Sequence, residues 1–146
     1  MNLLVINGPN LNLLGMREPK IYGHATYSDL VQLLEDWAQS AKVHLEIYQS
    51  NHEGQIIDKI QEAYYTCDGL VLNAAAYTHT SLAIHDALAA VQLPFVEVHI
   101  SSVSLRESYR QWSYIENLAL KTIEGQGFEG YLQALTFLKN YLSHSH

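Results

Sequence analysis

The sequence predicts an α/β chain with a five-stranded parallel sheet and helices on both faces. Three observations predict it. Short apolar runs alternate five times with segments whose apolar residues recur at helical spacing, and each parallel strand pair needs such a crossover. Only the second run alternates strictly, Val43, Leu45 and Ile47 against His44, Glu46 and Tyr48, which reads as a half-exposed edge strand. A chain of 146 residues, 48% apolar, is most simply one domain spanning 1–146 and can bury a real core.

Taken in order, Asn2–Ile6 is a buried strand that stops at Gly8-Pro9. Thr26 with Asp29 forms a capping box, followed by Leu30, Leu33, Leu34, Trp37, Ala38 and Ala41 on one helical face. The edge strand and the loop Gln49–Gly54 come next, then a second helix marked by Ile56, Ile57, Ile60, Ala63 and Tyr64. Gly69–Asn73 is a short buried strand, and Ala74–Thr80 a loop. Thr80 or Ser81 caps a third helix through Leu82, Ile84, Ala87, Leu88 and Val91. Phe95–Ile100 is the fourth strand, Ser101–Ser113 is irregular with one helical turn, Leu118–Ile123 is the fifth strand, and Phe128–Leu142 is the last helix. An edge position for the second strand gives the order 2-1-3-4-5, a flavodoxin-like arrangement.

One connector is out of proportion. Asn7–Gly23 is too long for an ordinary link, and Leu11, Leu13, Leu14, Ile21 and Tyr22 are too apolar for disorder. It reads as an active-site loop with Arg17 and Tyr22 as its working groups. The three arginines, Arg17, Arg106 and Arg110, are confined to two loop-like stretches. Arginine forks suit carboxylates and other oxyanions, so a small anion is one reading of that confinement; surface ion pairing accounts for it equally well. A tyrosine acts as a base only if its pKa is drawn down from about 10, and a guanidinium as near as Arg17 would do so.

In such a sheet, ligands bind beyond the carboxyl ends of the strands. Those ends supply Asn7 and Asn10, then Asn51, His52 and Glu53, then Asn73, Tyr77 and His79, then Glu97, His99 and Ser101. Glu97 and His99 are two apart on a central strand and so share a face. A buried carboxylate is costly unless paired, and an acid with its orienting partner fits that need.

The remaining chemistry is thin. A lone Cys67 gives no disulfide framework and reads as inert core. His52, His79 and His99 could be assembled around a metal on paper, but no zinc-type spacing supports it; the expectation is no metal. His24, His44 and His85 read as surface or helix-face residues, and Tyr64, Tyr65, Tyr131 and Tyr141 as helix packing. A net charge of −7 with no block of Lys or Arg argues against nucleic acid. No run suits a membrane span and no secretory signal is visible, so the expected compartment is the cytoplasm.

NGPNLNLLGMREPKIYG, QSNHEGQIIDKI, NAAAYTHTSLAIHDAL and PFVEVHISSVSLRESYR resemble the type II 3-dehydroquinases over nearly the whole chain. The resemblance implies a cofactor-independent lyase of the shikimate or quinate pathway, which converts 3-dehydroquinate to 3-dehydroshikimate by trans elimination of water through an enolate. It implies Tyr22 as base, Arg17 as the group that keeps Tyr22 ionised, and Asn10 as holder of a water against the enolate oxygen. His99 would be the acid and Glu97 its orienting partner. Asn73, His79, Ile100, Ser101 and Arg110 match substrate-binding positions, with Arg110 on the carboxylate. Asp86 matches an acid reached across a subunit interface in a homododecamer, a tetramer of trimers. The chain departs from the pattern at Ala74, Ser102 and Trp112, none of them a catalytic position. Two other classes compare poorly. A non-catalytic binding module would want acidic residues where Asn7, Asn10 and Asn73 stand, or a Gly-rich phosphate turn. A metal-assisted hydrolase remains the runner-up among enzymes.

Overall fold

A computed structural model describes residues 1–16 and 24–144. Its sheet has five parallel strands: β1 (Asn2–Asn7), β2 (His44–Gln49), β3 (Gly69–Asn73), β4 (Phe95–His99) and β5 (Lys121–Glu124). Their spatial order is β2-β1-β3-β4-β5, as the alternating second strand implied. Four α-helices lie among the described residues: α1 (Tyr27–Ala41), α2 (Glu53–Thr66), α3 (Leu82–Val91) and α4 (Glu129–Ser143).

Strand alternation sorts the core into two layers. Leu3, Val5, Val71, Val96 and Val98 face α1 and α4 through Leu30, Leu34, Tyr131, Leu135 and Leu138. Leu4, Ile6, Leu70, Leu72 and Phe95 face α2 and α3 through Ile56, Ile60, Ile84 and Leu88. Because β1, β3 and β4 are covered on both sides, their residues are apolar almost throughout. Helix starts follow local chemistry. Thr26 Oγ1 accepts from Asp29 N, and the Asp29 carboxylate accepts from Thr26 N, closing the box that opens α1. Ser81 Oγ accepts from Ile84 N at 3.0 Å and opens α3.

Several boundaries differ from the sequence reading. Ala75–His79 is a 3-10 helix, the irregular stretch carries two such turns (Val103–Leu105 and Ser108–Arg110), and β5 begins only after a turn at Glu116–Leu118. Of the four tyrosines read as helix packing, Tyr131 is wholly buried, whereas Tyr64, Tyr65 and Tyr141 are 58%, 84% and 39% exposed, and Tyr64 meets Tyr65 edge-to-face at 5.0 Å outside the core. No helix among the described residues is long and apolar enough to cross a membrane.

Gly8 sets how closely β1 and β3 end together. Its N–H donates to Asn73 O at 2.8 Å, and a Cβ there would lie 2.5 Å from the Ala74 carbonyl oxygen. Both partners are backbone and cannot swing aside. Gly8→Ala is therefore expected to destabilise the fold by about 1–3 kcal/mol, the usual range for forced overpacking. A urea titration that leaves the midpoint unchanged would contradict this.

Candidate active site

The carboxyl-terminal residues of the five strands are Asn7, Gln49, Asn73, His99 and Glu124, all polar. Register aligns Asn7 with both Gln49 and Asn73, and His99 with Glu124. One edge of the sheet is thus lined with hydrogen-bonding groups. A cleft of about 110 Å³ lies there. Asn10, Asn73, His79, His99, Ile100, Ser101, Arg106 and Arg110 line it, together with Pro9, Leu11, Ala75, Ala76 and Val103.

His99, which lines the cleft, is 6% exposed, and its partner Glu97 is fully buried. His99 Nε2 stands 2.5 Å from Glu97 Oε2. The carboxylate also accepts from Ser113 Oγ at 2.9 Å and from Thr122 Oγ1 at 3.2 Å. These donors are what make a buried carboxylate tolerable. Thr122 follows from sheet register, since it lies beside Glu97 on β5. Ser113 arrives from the irregular segment that Ile115 anchors in the core. With Nε2 occupied by Glu97, Nδ1 is the His99 nitrogen left to exchange a proton with a ligand.

His79 ends the 3-10 helix after β3. Its Nδ1 donates to the Trp112 carbonyl at 2.7 Å, so the neutral ring keeps Nε2 as an acceptor. Burial holds its pKa below the ordinary histidine value. The nearby charges of His99 and Arg110 push the same way, while the Trp112 hydrogen bond and Glu97 oppose them. As pH falls through about 6.5, the unfolded chain takes this proton before the folded chain does, so folded stability drops with acidification. The melting temperature of the wild type is expected to fall more between pH 7.5 and 5.5 than that of His79→Gln; parallel curves would contradict this.

The polar groups at the cleft are held by defined contacts. Asn10 has φ 69°, a left-handed conformation that Asn tolerates, and its N–H donates to Asn51 Oδ1 at 3.0 Å. Tyr77 spends its hydroxyl on Asn51 O at 2.8 Å, outside the cleft lining. Ala75 has φ 53°, an uncommon non-glycine conformation. Asn73 Oδ1 holds it by accepting from Ala75 N at 3.1 Å, a local turn in which the side chain stands in for backbone. The carbonyls of Ile100 and Ser101 accept from Gly127 N and Gly125 N. Arg110 Nε lies 3.1 Å from Glu107 Oε2, too poorly aligned to count as a hydrogen bond.

The structure brings together Asn10, Asn73, His79, Glu97, His99, Ile100, Ser101 and Arg110. Asp86 lies apart on α3, 78% exposed at its side chain beside His85. Arg17 and Tyr22 fall in 17–23, outside the described residues. His52 precedes α2 and does not join His79 and His99; among the described residues no three His, Cys, Asp or Glu side chains converge as metal ligands. Arg106, which the sequence reading gave no role, lines the cleft beside Ser101, with Nη1 to Oγ at 3.5 Å. Its signal in the sequence was its place among the three confined arginines.

The model of the family described as dehydroquinase class II matches residues 1–139. The chain belongs to that family. A 3-dehydroquinate dehydratase of Prochlorococcus marinus (strain MIT 9301) is 50% identical over 143 residues, which is 98% of this chain and 97% of the relative. A catabolic 3-dehydroquinase of Verticillium alfalfae is 51% identical over 140 residues, 96% and 93% of the two chains. The crystal structure of the type II dehydroquinase from Butyrivibrio crossotus superposes with a TM-score of 0.94 at 52% identity, covering 95% of this chain and 97% of the other. The parallel sheet and its strand order are therefore those of a class II dehydroquinase.

Proposed function

We propose that this chain is a lyase that dehydrates 3-dehydroquinate to 3-dehydroshikimate by trans elimination through an enolate, in the cytoplasm and within the shikimate or quinate pathway. The observation that carries the reading is the buried His99–Glu97 pair, whose imidazole lines a cleft that Arg110 also lines, in a chain of this family. An anionic substrate suits the arginine side, and the imidazole supplies a proton to a leaving hydroxyl.

In this reading Tyr22, kept ionised by Arg17, removes the proton beside the ketone. Asn10 holds a water against the resulting enolate oxygen, where fixed donors lower the barrier. His99 Nδ1 protonates the departing hydroxyl, and Glu97 fixes the ring and serves as counter-ion to its doubly protonated form. Asn73, His79, Ile100 and Ser101 bind the substrate, and Arg110 takes its carboxylate as a fork. The proton gained at Tyr22 balances the one lost from His99, so no redox partner enters. Assembly as a homododecamer, a tetramer of trimers, would carry the exposed Asp86 to a neighbouring subunit's cleft.

An ultraviolet assay for the conjugated enone tests the reading. Product formation that scales with protein concentration supports it; no enone from 3-dehydroquinate would overturn it.

A further inference from the structure

Beneath the cleft runs a buried line of hydrogen bonds that the proposed mechanism does not use. Tyr131, from the first turn of α4, is wholly buried. Its hydroxyl lies 2.6 Å from Asn7 Oδ1 and 2.9 Å from Asn73 Nδ2. Asn7 and Asn73 are register partners at the ends of adjacent strands, 0% and 3% exposed.

Every polarity in this line follows from one backbone group. Ala75 N–H can only donate, so the Asn73 atom facing it is Oδ1. Nδ2 must then face Tyr131, whose oxygen accepts. The single Tyr131 hydrogen therefore goes to Asn7 Oδ1, and Asn7 Nδ2 is left to face the Tyr27 hydroxyl at 3.4 Å. Burial pushes the Tyr131 phenol above its ordinary range, so it keeps that hydrogen at neutral pH. With both ends of its amide engaged, Asn73, which lines the cleft, has one further Nδ2 hydrogen to offer.

We propose that Tyr131 is a positioning residue: its hydroxyl, bridging Asn7 and Asn73, acts with the Ala75 N–H to hold the Asn73 amide so that a donor faces the cleft and selects a substrate oxygen there. Turned over, the same amide would present a carbonyl to an anionic substrate and repel its acceptor atoms. This rests on the proposed substrate only for its kinetic test.

Tyr131→Phe keeps the ring and removes the bridge. KM for 3-dehydroquinate is expected to rise about 10-fold, the equivalent of one lost hydrogen bond, with kcat little changed because the contact is made before and during reaction. In an Asn73→Ala background the same change should move KM by less than about twofold, since the effect has lost its carrier. Asn7→Ser is a second route. It weakens the acceptor for the Tyr131 hydrogen, so the amide gains freedom to turn, and KM should rise with the same dependence on Asn73. A readout without substrate is hydrogen exchange of the Asn73 side-chain amide by NMR, slow in the wild type and fast in either variant. Unchanged KM in a folded Tyr131→Phe enzyme, equal KM shifts with and without Asn73, or unaltered amide exchange would each overturn the proposal. A wild type that makes no enone while its amide exchange responds as expected would overturn the substrate reading and leave the positioning role standing.

Discussion

His99→Ala is expected to lower turnover of 3-dehydroquinate by about 10²–10⁴-fold, the range for loss of a positioned general acid. The reason is local. Departure of hydroxide from carbon is slow without a proton, and His99 is the cleft-lining imidazole held by a buried carboxylate. The loss should fall mainly on kcat, since a group that acts in the transition state contributes little to ground-state binding. The fold should survive. Glu97 retains Ser113 and Thr122 as donors, so removing the ring does not leave the carboxylate bare. Circular dichroism and thermal melting of the variant separate chemistry from folding. A folded His99→Ala protein with near wild-type kcat would show that the acid is elsewhere.

Tyr22→Phe is expected to lose turnover on a similar scale, about 10²–10⁴-fold, through loss of the base. The ring remains, so binding should change less than kcat. Arg17→Ala provides a separate check on the pairing. A phenol ionises near neutrality only with a cation beside it, so deleting the guanidinium should move the acid limb of the kcat/KM profile to higher pH. An unchanged profile would dissociate Arg17 from Tyr22, and a fully active Tyr22→Phe would remove the tyrosine from the mechanism.

The fold was legible because its determinants are local and periodic. Alternation in Val43–Tyr48 marked the edge strand, and continuous apolar runs marked the doubly covered ones. The Thr26–Asp29 box is written in four adjacent residues. The strand-end rule gathered Asn10, Asn73, His79 and His99 from three segments, and the cleft holds all four, whereas Asn51, His52, Glu53 and Tyr77, which the same rule named, fall outside its lining. What stayed hidden depends on contacts remote in sequence. Ser113 reaches Glu97 only because an irregular segment is folded over β4, and no periodicity encodes that path. Tyr131 looked like one more helix-packing aromatic. Its hydroxyl meets Asn7 across 124 residues of chain, a pairing that follows from where α4 lands and not from any local pattern. Tyr64 and Tyr65 show the reverse: both read as helix packing, yet both lie on the open side of α2. Ala75 adopts a left-handed backbone because Asn73 holds it, and nothing in an Ala-Ala-Ala run announces that.

In the proposed mechanism side chains alone carry the dehydration, with the proton taken and the proton given by residues of the chain. The most direct test is the rate of enone formation from 3-dehydroquinate by protein exhaustively dialysed against EDTA. The same kcat and KM as for untreated protein are expected, with no gain when divalent metal is returned. Activity that disappears with the chelator and returns with metal would contradict it.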